Sequence, residues 1–209
     1  MTVSIDIVSD VICPWCFVGK RRLDAALASL GDIVAEVSWH PFLLDGSIPK
    51  EGMDRRDYLT RKFGAERLKT LHDPLLAAAK EAGAPMDFAA IKRTPNTLDA
   101  HRLLRWSQAV GKQHDMAERL FMAYWNEGKD IGDKQVLAAE AGAVGLDAAE
   151  IKELLDGEAD LAEIKAEIQR AAEMGITGVP TFLIAGRYAV VGAQSPEVLK
   201  GAILQAVGE

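Results

Sequence analysis

Cysteine is nearly absent from this chain: two in 209 residues, Cys13 and Cys16. That is far from the disulfide-dense usage of small secreted domains. It also leaves a structural zinc site short of ligands, since one cysteine pair and four scattered histidines do not supply the usual four. A run of about 18 apolar residues, the minimum for a membrane-spanning helix, is missing. Positive charge is in deficit, with 24 Lys and Arg against 31 Asp and Glu and a net charge of −7, which disfavours general binding to nucleic acid or anionic membrane. The opening Met1–Asp6 has neither the charged n-region nor the apolar h-region of a signal peptide. The expectation is a soluble cytoplasmic protein. There, thiol-reducing systems disfavour a lone structural disulfide. Internal repeats and low-complexity segments are also missing.

What is present is concentrated in Cys13-Pro14-Trp15-Cys16. Two cysteines placed at random would fall three apart roughly one time in a hundred, so the spacing is informative. An apolar stretch, Val3–Val8, runs into the pair and a helical pattern, Phe17–Leu30, leaves it. The pair therefore sits at a strand-to-helix turn. Unsatisfied N–H groups and the positive end of the helix dipole favour a thiolate there. Pro14 suits the first helical position, where a missing N–H costs nothing.

Residues 3–9 read as a strand, Pro14–Leu30 as a helix ended by Gly31, and residues 33–39 as a second strand parallel to the first. After His40-Pro41 no convincing strand occurs for about a hundred residues. Helical patterns instead cover Asp54–Phe63, Ala65–Ala82 with Pro74 as a break or kink, Asn96 or Thr97 to Val110, Gln113–Asn126, Asp133–Ala143 and Asp147–Leu155. An amphipathic helix over 158–174 closes at Gly175; Val179–Ile184 and Tyr188–Val191 form a hairpin around Ala185-Gly186-Arg187; Ser195 caps a last helix. The order β-α-β, helical block, α-β-β-α predicts an α/β protein, a thioredoxin-like fold with a large all-helical insertion. Its thioredoxin-like part is residues 1–45 and 158–209, and the insertion is 46–157.

The stretch Ser9–Lys20, with Pro41-Phe42, Asn96-Thr97, Ala100-His101-Arg102 and Gly175–Phe182, resembles the DsbA-like thioredoxin-fold oxidoreductases, in their FrnE-like branch. The likeness covers nearly the whole chain. It implies a thioredoxin domain with a helical insertion and a cis-proline, Pro180, facing the dithiol. The best-known DsbA-like members are exported, and the absence of an export signal departs from them. The kappa glutathione transferases and the 2-hydroxychromene-2-carboxylate isomerases resemble the chain too. They carry serine where this chain has Cys13, which sides with the oxidoreductases.

Cys13 is the candidate nucleophile and Cys16 the resolving thiol: one attacks a substrate disulfide, the other attacks the mixed disulfide. Two inert buried cysteines are the plain alternative. Pro180 would shield the sulfurs and Val179 would offer backbone groups to an extended substrate segment, although a proline near a strand start is often just a trans edge residue. Trp15 reads equally as a substrate contact or as packing. Asp10 either influences the thiol or is a turn residue. His101 and Arg102 could bind a glutathione-like carboxylate, against a cap and solvated helix face. His40 reads as a strand-end residue; Lys20, Arg21 and Arg22 as a solvated face, or as cations that lower the Cys13 pKa through space; Met53, Met116 and Met122 as packing. The expected activity is thiol:disulfide exchange with a disulfide-containing protein or peptide, or with glutathione as co-substrate, and no other cofactor or metal. A homodimer is possible. Two alternatives stay open: a glutathione-dependent transferase or isomerase, and a peptide-binding, chaperone-like module.

Overall fold

In the computed structural model, residues 1–64, 66 and 72–208 are described. The sheet grows outward from β1 (Thr2–Ser9), whose Val3, Ile5 and Ile7 are buried on one face. This β-branched alternation is what a strand with a packed face requires. β1 runs into α1 (Pro14–Ala28), which crosses back to β2 (Val34–Pro41). β1 and β2 pair in parallel, from Thr2 opposite Val34 to Ser9 opposite Pro41. On the other side β1 pairs antiparallel with β5 (Thr181–Ile184), and β5 with β6 (Tyr188–Val191), giving the order β2-β1-β5-β6.

Between β2 and β5 lie α2 (Arg55–Phe63), α3 (Asp73–Ala82), α4 (Leu98–Ala109), α5 (Gln113–Phe121) continued by a π-helical turn (Met122–Asn126), α6 (Lys134–Ala143), α7 (Ala148–Asp156) and α8 (Leu161–Glu173); α9 (Pro196–Gly208) closes the chain. Three helices start on an aspartate that satisfies free N–H groups. Asp54 accepts from Asp57 N at 3.0 Å, Asp133 from Gln135 N at 2.7 Å, and Asp147 from Ala149 N at 2.9 Å. The result is the expected thioredoxin fold with a helical insertion.

Several boundaries differ from the sequence reading. A short antiparallel bridge, β3 (Met53–Asp54) with β4 (Arg93–Thr94), interrupts the helical block. Two residues per strand are too few to leave an alternating pattern. Pro74 stands in the first turn of α3, where a proline is tolerated, so a helix starts there rather than running through the proline with a kink. Of the Ala65–Ala82 pattern, Ala65 and residues 67–71 lie outside the described residues. The 113–126 pattern is an α-helix only to Phe121, and α8 starts at Leu161, after Asp160 with φ 57°. Among the described residues no helix is long and apolar enough to cross a membrane.

α1 and α9 pack together over the face of the sheet carrying Ile5, Ile7 and Phe182. The opposite face, with Asp6, Val8 and Leu183, looks toward α4 and α8 and walls a cavity of about 420 Å³. The edge of β2 is not left open. The Gln113 side-chain amide accepts from Trp39 N at 2.8 Å and donates to Trp39 O at 3.0 Å, in the manner of a neighbouring strand.

Candidate functional site

Cys13 is the N-cap of α1, in extended conformation (φ −87°, ψ 115°), with Pro14 in the first turn. Its N–H donates to Asp10 O at 2.9 Å and its carbonyl accepts from Cys16 N at 3.0 Å, so the pair is fixed by the turn as well as by the helix. Both sulfurs are free thiols, and both residues are buried, at 3% and 1% exposure. Between them Trp15 is exposed at 39%.

Across from the helix start runs the segment after α8. The Val179–Pro180 peptide bond is cis. The Cys13 thiol donates to Val179 O at 3.7 Å. Pro180 is buried against α1 at Gly19: a Cβ there would lie 2.8 Å from Pro180 Cγ and 3.2 Å from Phe182 Cζ. Glycine at 19 thus lets the helix settle onto the loop and β5 together.

Burial pushes the Cys16 thiol pKa well up, and its hydrogen bond and charge interaction with Cys13 push it further. Ser9 and the Asp10 backbone act more weakly in the opposite, downward direction. Ser9 is buried, and its Oγ makes no hydrogen bond of ordinary geometry.

The other candidates divide. Asp10 is a turn residue, buried at 1%; its carboxylate accepts from Ile12 N at 3.3 Å and Leu44 N at 2.7 Å, with His101 Nε2 at 3.7 Å. His101 is buried and meets Phe42 O at 3.0 Å. It therefore braces the segment after β2, joining Asp10 to α4. Arg102 corrects the sequence expectation. It is neither on a solvated face nor open to a carboxylate. Its guanidinium donates to Ala159 O at 2.6 Å, Leu154 O at 2.6 Å, Gly157 O at 3.0 Å and Asp99 Oδ1 at 2.7 Å. Every face of the fork is in use, because α7 ends beside α4 with carbonyls that need donors.

The basic run after the dithiol is likewise not a solvated face. Lys20 is buried and pairs with Asp24 at 2.8 Å and Glu118 at 3.0 Å; Arg21 reaches Glu118, and Arg22 reaches Ala193 O at 2.7 Å. These cations tie α1 to α5 and to the chain before α9. Burial pushes the Asp24 carboxyl up, but His114 and Lys20 hold it below the usual carboxylate range. His40 is a strand-end residue, with Nε2 2.9 Å from Asp6 Oδ1. Gly19 is the residue that sequence reasoning missed: it lets α1 close on Pro180 and Phe182, which arrive from the far end of the chain.

Comparison with known proteins follows the same lines. Protein YwbO of Bacillus subtilis is 32% identical over 209 residues, covering 97% of this chain and 96% of its own. A probable DsbA oxidoreductase of Streptomyces coelicolor is 32% identical and superposes with a TM-score of 0.88, covering 99% of this chain and 91% of that one. The cytosolic disulfide reductase DsbM of Pseudomonas aeruginosa, solved with glutathione, shares the fold at 19% identity and a TM-score of 0.67, covering 99% of this chain and 100% of its own. The family model for the DSBA-like thioredoxin domain matches residues 4–204, and the chain belongs to that family.

Proposed function

We propose that this protein is a thiol:disulfide oxidoreductase in which Cys13 is the nucleophile and Cys16 the resolving thiol. The observation that carries the reading is the placement of Cys13 at the N-cap of α1 with its sulfur against Val179 O, and Cys16 buried one turn further in. In reduction, the Cys13 thiolate attacks one sulfur of a substrate disulfide; the S–S bond breaks and the other sulfur leaves as a thiolate. Cys16 then attacks Cys13, forming the Cys13–Cys16 disulfide and releasing the second substrate thiol. Two electrons pass from the dithiol to the substrate, and the reverse sequence oxidises a dithiol. Val179 offers backbone groups to an extended substrate segment and Pro180 screens the sulfurs on that side. Trp15, exposed between the cysteines, is the side chain placed for substrate contact.

The substrate is a disulfide in a protein or peptide, or glutathione disulfide, and the thiol pair needs no further cofactor. The two-cysteine composition suits a reducing, cytoplasmic setting. We take the thioredoxin-like part as residues 1–45 and 158–209 and the insertion as 46–157. Cys16 weighs against the glutathione transferase or isomerase reading, because transfer needs no resolving thiol.

The test is equilibration of the protein in glutathione redox buffers, with the Cys13–Cys16 disulfide quantified by alkylation and mass. A single reversible two-electron transition is expected, and its potential states whether the protein works as reductant or oxidant. Cys16→Ser accumulates a mixed disulfide at Cys13 and loses turnover. A pair that never forms a disulfide, or turnover that survives Cys16→Ser, overturns the reading.

A further inference from the structure

The face of the sheet turned away from α1 carries a charge where local preference does not put one. β1 is central, paired on both sides, and yet Asp6 stands on it with its side chain 36% exposed. Aspartate is disfavoured in strands, and breaches of local preference concentrate at functional sites. Asp6 opens into the cavity of about 420 Å³ bounded by this face, α4 and α8. The cavity has a buried apolar wall, Val8, Leu104 and Ile164. Its charged lining is Asp6, Arg105, Glu167 and Arg170, two of each sign, with His40 among them. Cys13, Trp15, Val179 and Pro180 do not line it, so it is separate from the dithiol site.

The polar contacts along this lining leave a defined gap. His40 Nε2 lies 2.9 Å from Asp6 Oδ1. A carboxylate only accepts, so Nε2 is the donor, and the neutral ring turns a lone pair from Nδ1 toward Glu167. Glu167 Oε2 stands 3.8 Å from that Nδ1. Two acceptors thus face each other with no proton between them. A donor about 2.8 Å from each, a little off their line, would satisfy both. The other Glu167 oxygen is taken by Arg105 Nη1 at 2.6 Å, and Arg105 is held again by Asp160 at 3.0 Å. Arg170 Nη2 is 3.9 Å from that same oxygen, beyond hydrogen-bond reach, and among the described residues its guanidinium donates no hydrogen bond.

We propose that this cavity is a binding site for a free amino acid with an apolar side chain. The ammonium donates to His40 Nδ1 and Glu167 Oε2, the carboxylate takes the open fork of Arg170, and the side chain lies on Val8, Leu104 and Ile164. The two charges of an amino acid are neighbours, as Glu167 and Arg170 are. A lone anion would leave the facing acceptors unserved, and a lone cation would leave Arg170 unused. The volume falls in the lower part of the range for small-molecule sites, and an apolar wall with a few convergent polar groups is their usual make-up.

Calorimetric titration tests this with L-leucine and L-phenylalanine, each beside its deaminated acid and its decarboxylated amine, and with glycine. At least one of the two apolar amino acids is expected to bind one-to-one with a Kd of about 1 mM or tighter. Its acid, its amine and glycine are each expected to bind about tenfold more weakly or worse, for want of one charge-assisted contact or of the apolar one. Two side chains that are 61% and 39% exposed, Arg170 and His40, divide the effect without threatening the fold. Arg170→Ala is expected to weaken the amino acid about tenfold and leave the amine unchanged. His40→Ala is expected to weaken the amino acid and the amine and leave the acid unchanged. No saturation by either amino acid up to about 10 mM overturns the proposal, as do single-charge analogues that bind equally well, or an affinity indifferent to both substitutions. The titrations are repeated on protein carrying Cys13→Ser and Cys16→Ser. Binding there supports the site even where the exchange reaction fails its own test, so the two failures are distinct.

Discussion

The two cysteines are three residues apart and differ in kind. Cys13 caps the helix and touches Val179 O; Cys16 lies under it, with burial and then Cys13 raising its pKa. That difference has a consequence for stability. An unfolded cysteine titrates near about pH 8.5. Below that value both states of Cys16 hold their proton, and the contribution of its buried neutral thiol to folding is present in full. As pH rises past about 8.5, the unfolded chain loses the proton first, and stability falls until the folded pKa is passed. Urea denaturation of the reduced protein from about pH 7 to about pH 10 is expected to show this loss, and Cys16→Ala is expected to lack that component. Parallel curves for the two proteins would mean that Cys16 is not held neutral by the fold.

At the scale of elements, the contact between α1 and the Val179–Pro180 segment defines the site, and Gly19 permits it. Alanine has the better helix propensity by about 1 kcal/mol. At this position its Cβ would lie 2.8 Å from Pro180 Cγ and 3.2 Å from Phe182 Cζ, and neither a proline ring nor a buried aromatic yields cheaply. Gly19→Ala is therefore expected to destabilise by about 1–3 kcal/mol in spite of the propensity gain, and to slow exchange by widening the gap at Cys13. Urea denaturation and a turnover assay check both parts; a more stable variant would show that the helix and loop can move apart freely. The strands and the dithiol turn were legible in the sequence because they are written locally, in the alternation of β1 and in the Cys-Pro-Trp-Cys spacing. The Gly19 contact was not, because Pro180 and Phe182 arrive from the far end of the chain. The β3–β4 bridge and the π-helical turn at Met122–Asn126 are too short to impose a period of their own.

Across the whole molecule, the insertion and the thioredoxin-like part are locked by cations that sequence alone places on the surface. Lys20 and Arg21 reach from α1 to Glu118 on α5, and Arg22 reaches Glu81 on α3 and Ala193 O, while Lys20 also pairs with Asp24 one turn along its own helix. Arg102 does the same chiefly within the insertion, reaching just past its end at Ala159. Sequence shows a basic residue near the start of α4, but the carbonyls it serves belong to residues 154–159, more than fifty positions on. The Trp106 ring covers the guanidinium at 5.0 Å, completing its enclosure. Removing Arg102 would orphan three carbonyls where α7 meets α8, and would leave Asp99 without its 2.7 Å partner. Arg102→Ala is expected to destabilise the protein by about 3–5 kcal/mol. Arg102→Lys is expected to recover little, since one ammonium does not reproduce a planar fork with donors on three sides. Where the variant is still folded, its redox equilibrium with glutathione and its rate of exchange per folded molecule are expected to stay within about twofold of the parent, which thermal unfolding and exchange assays run on the same samples would read together. A variant of undiminished stability that lost glutathione exchange would return Arg102 to the ligand site. The expected pattern instead makes it the clamp that holds α7 and α8 to α4, and so holds the segment after α8 opposite Cys13.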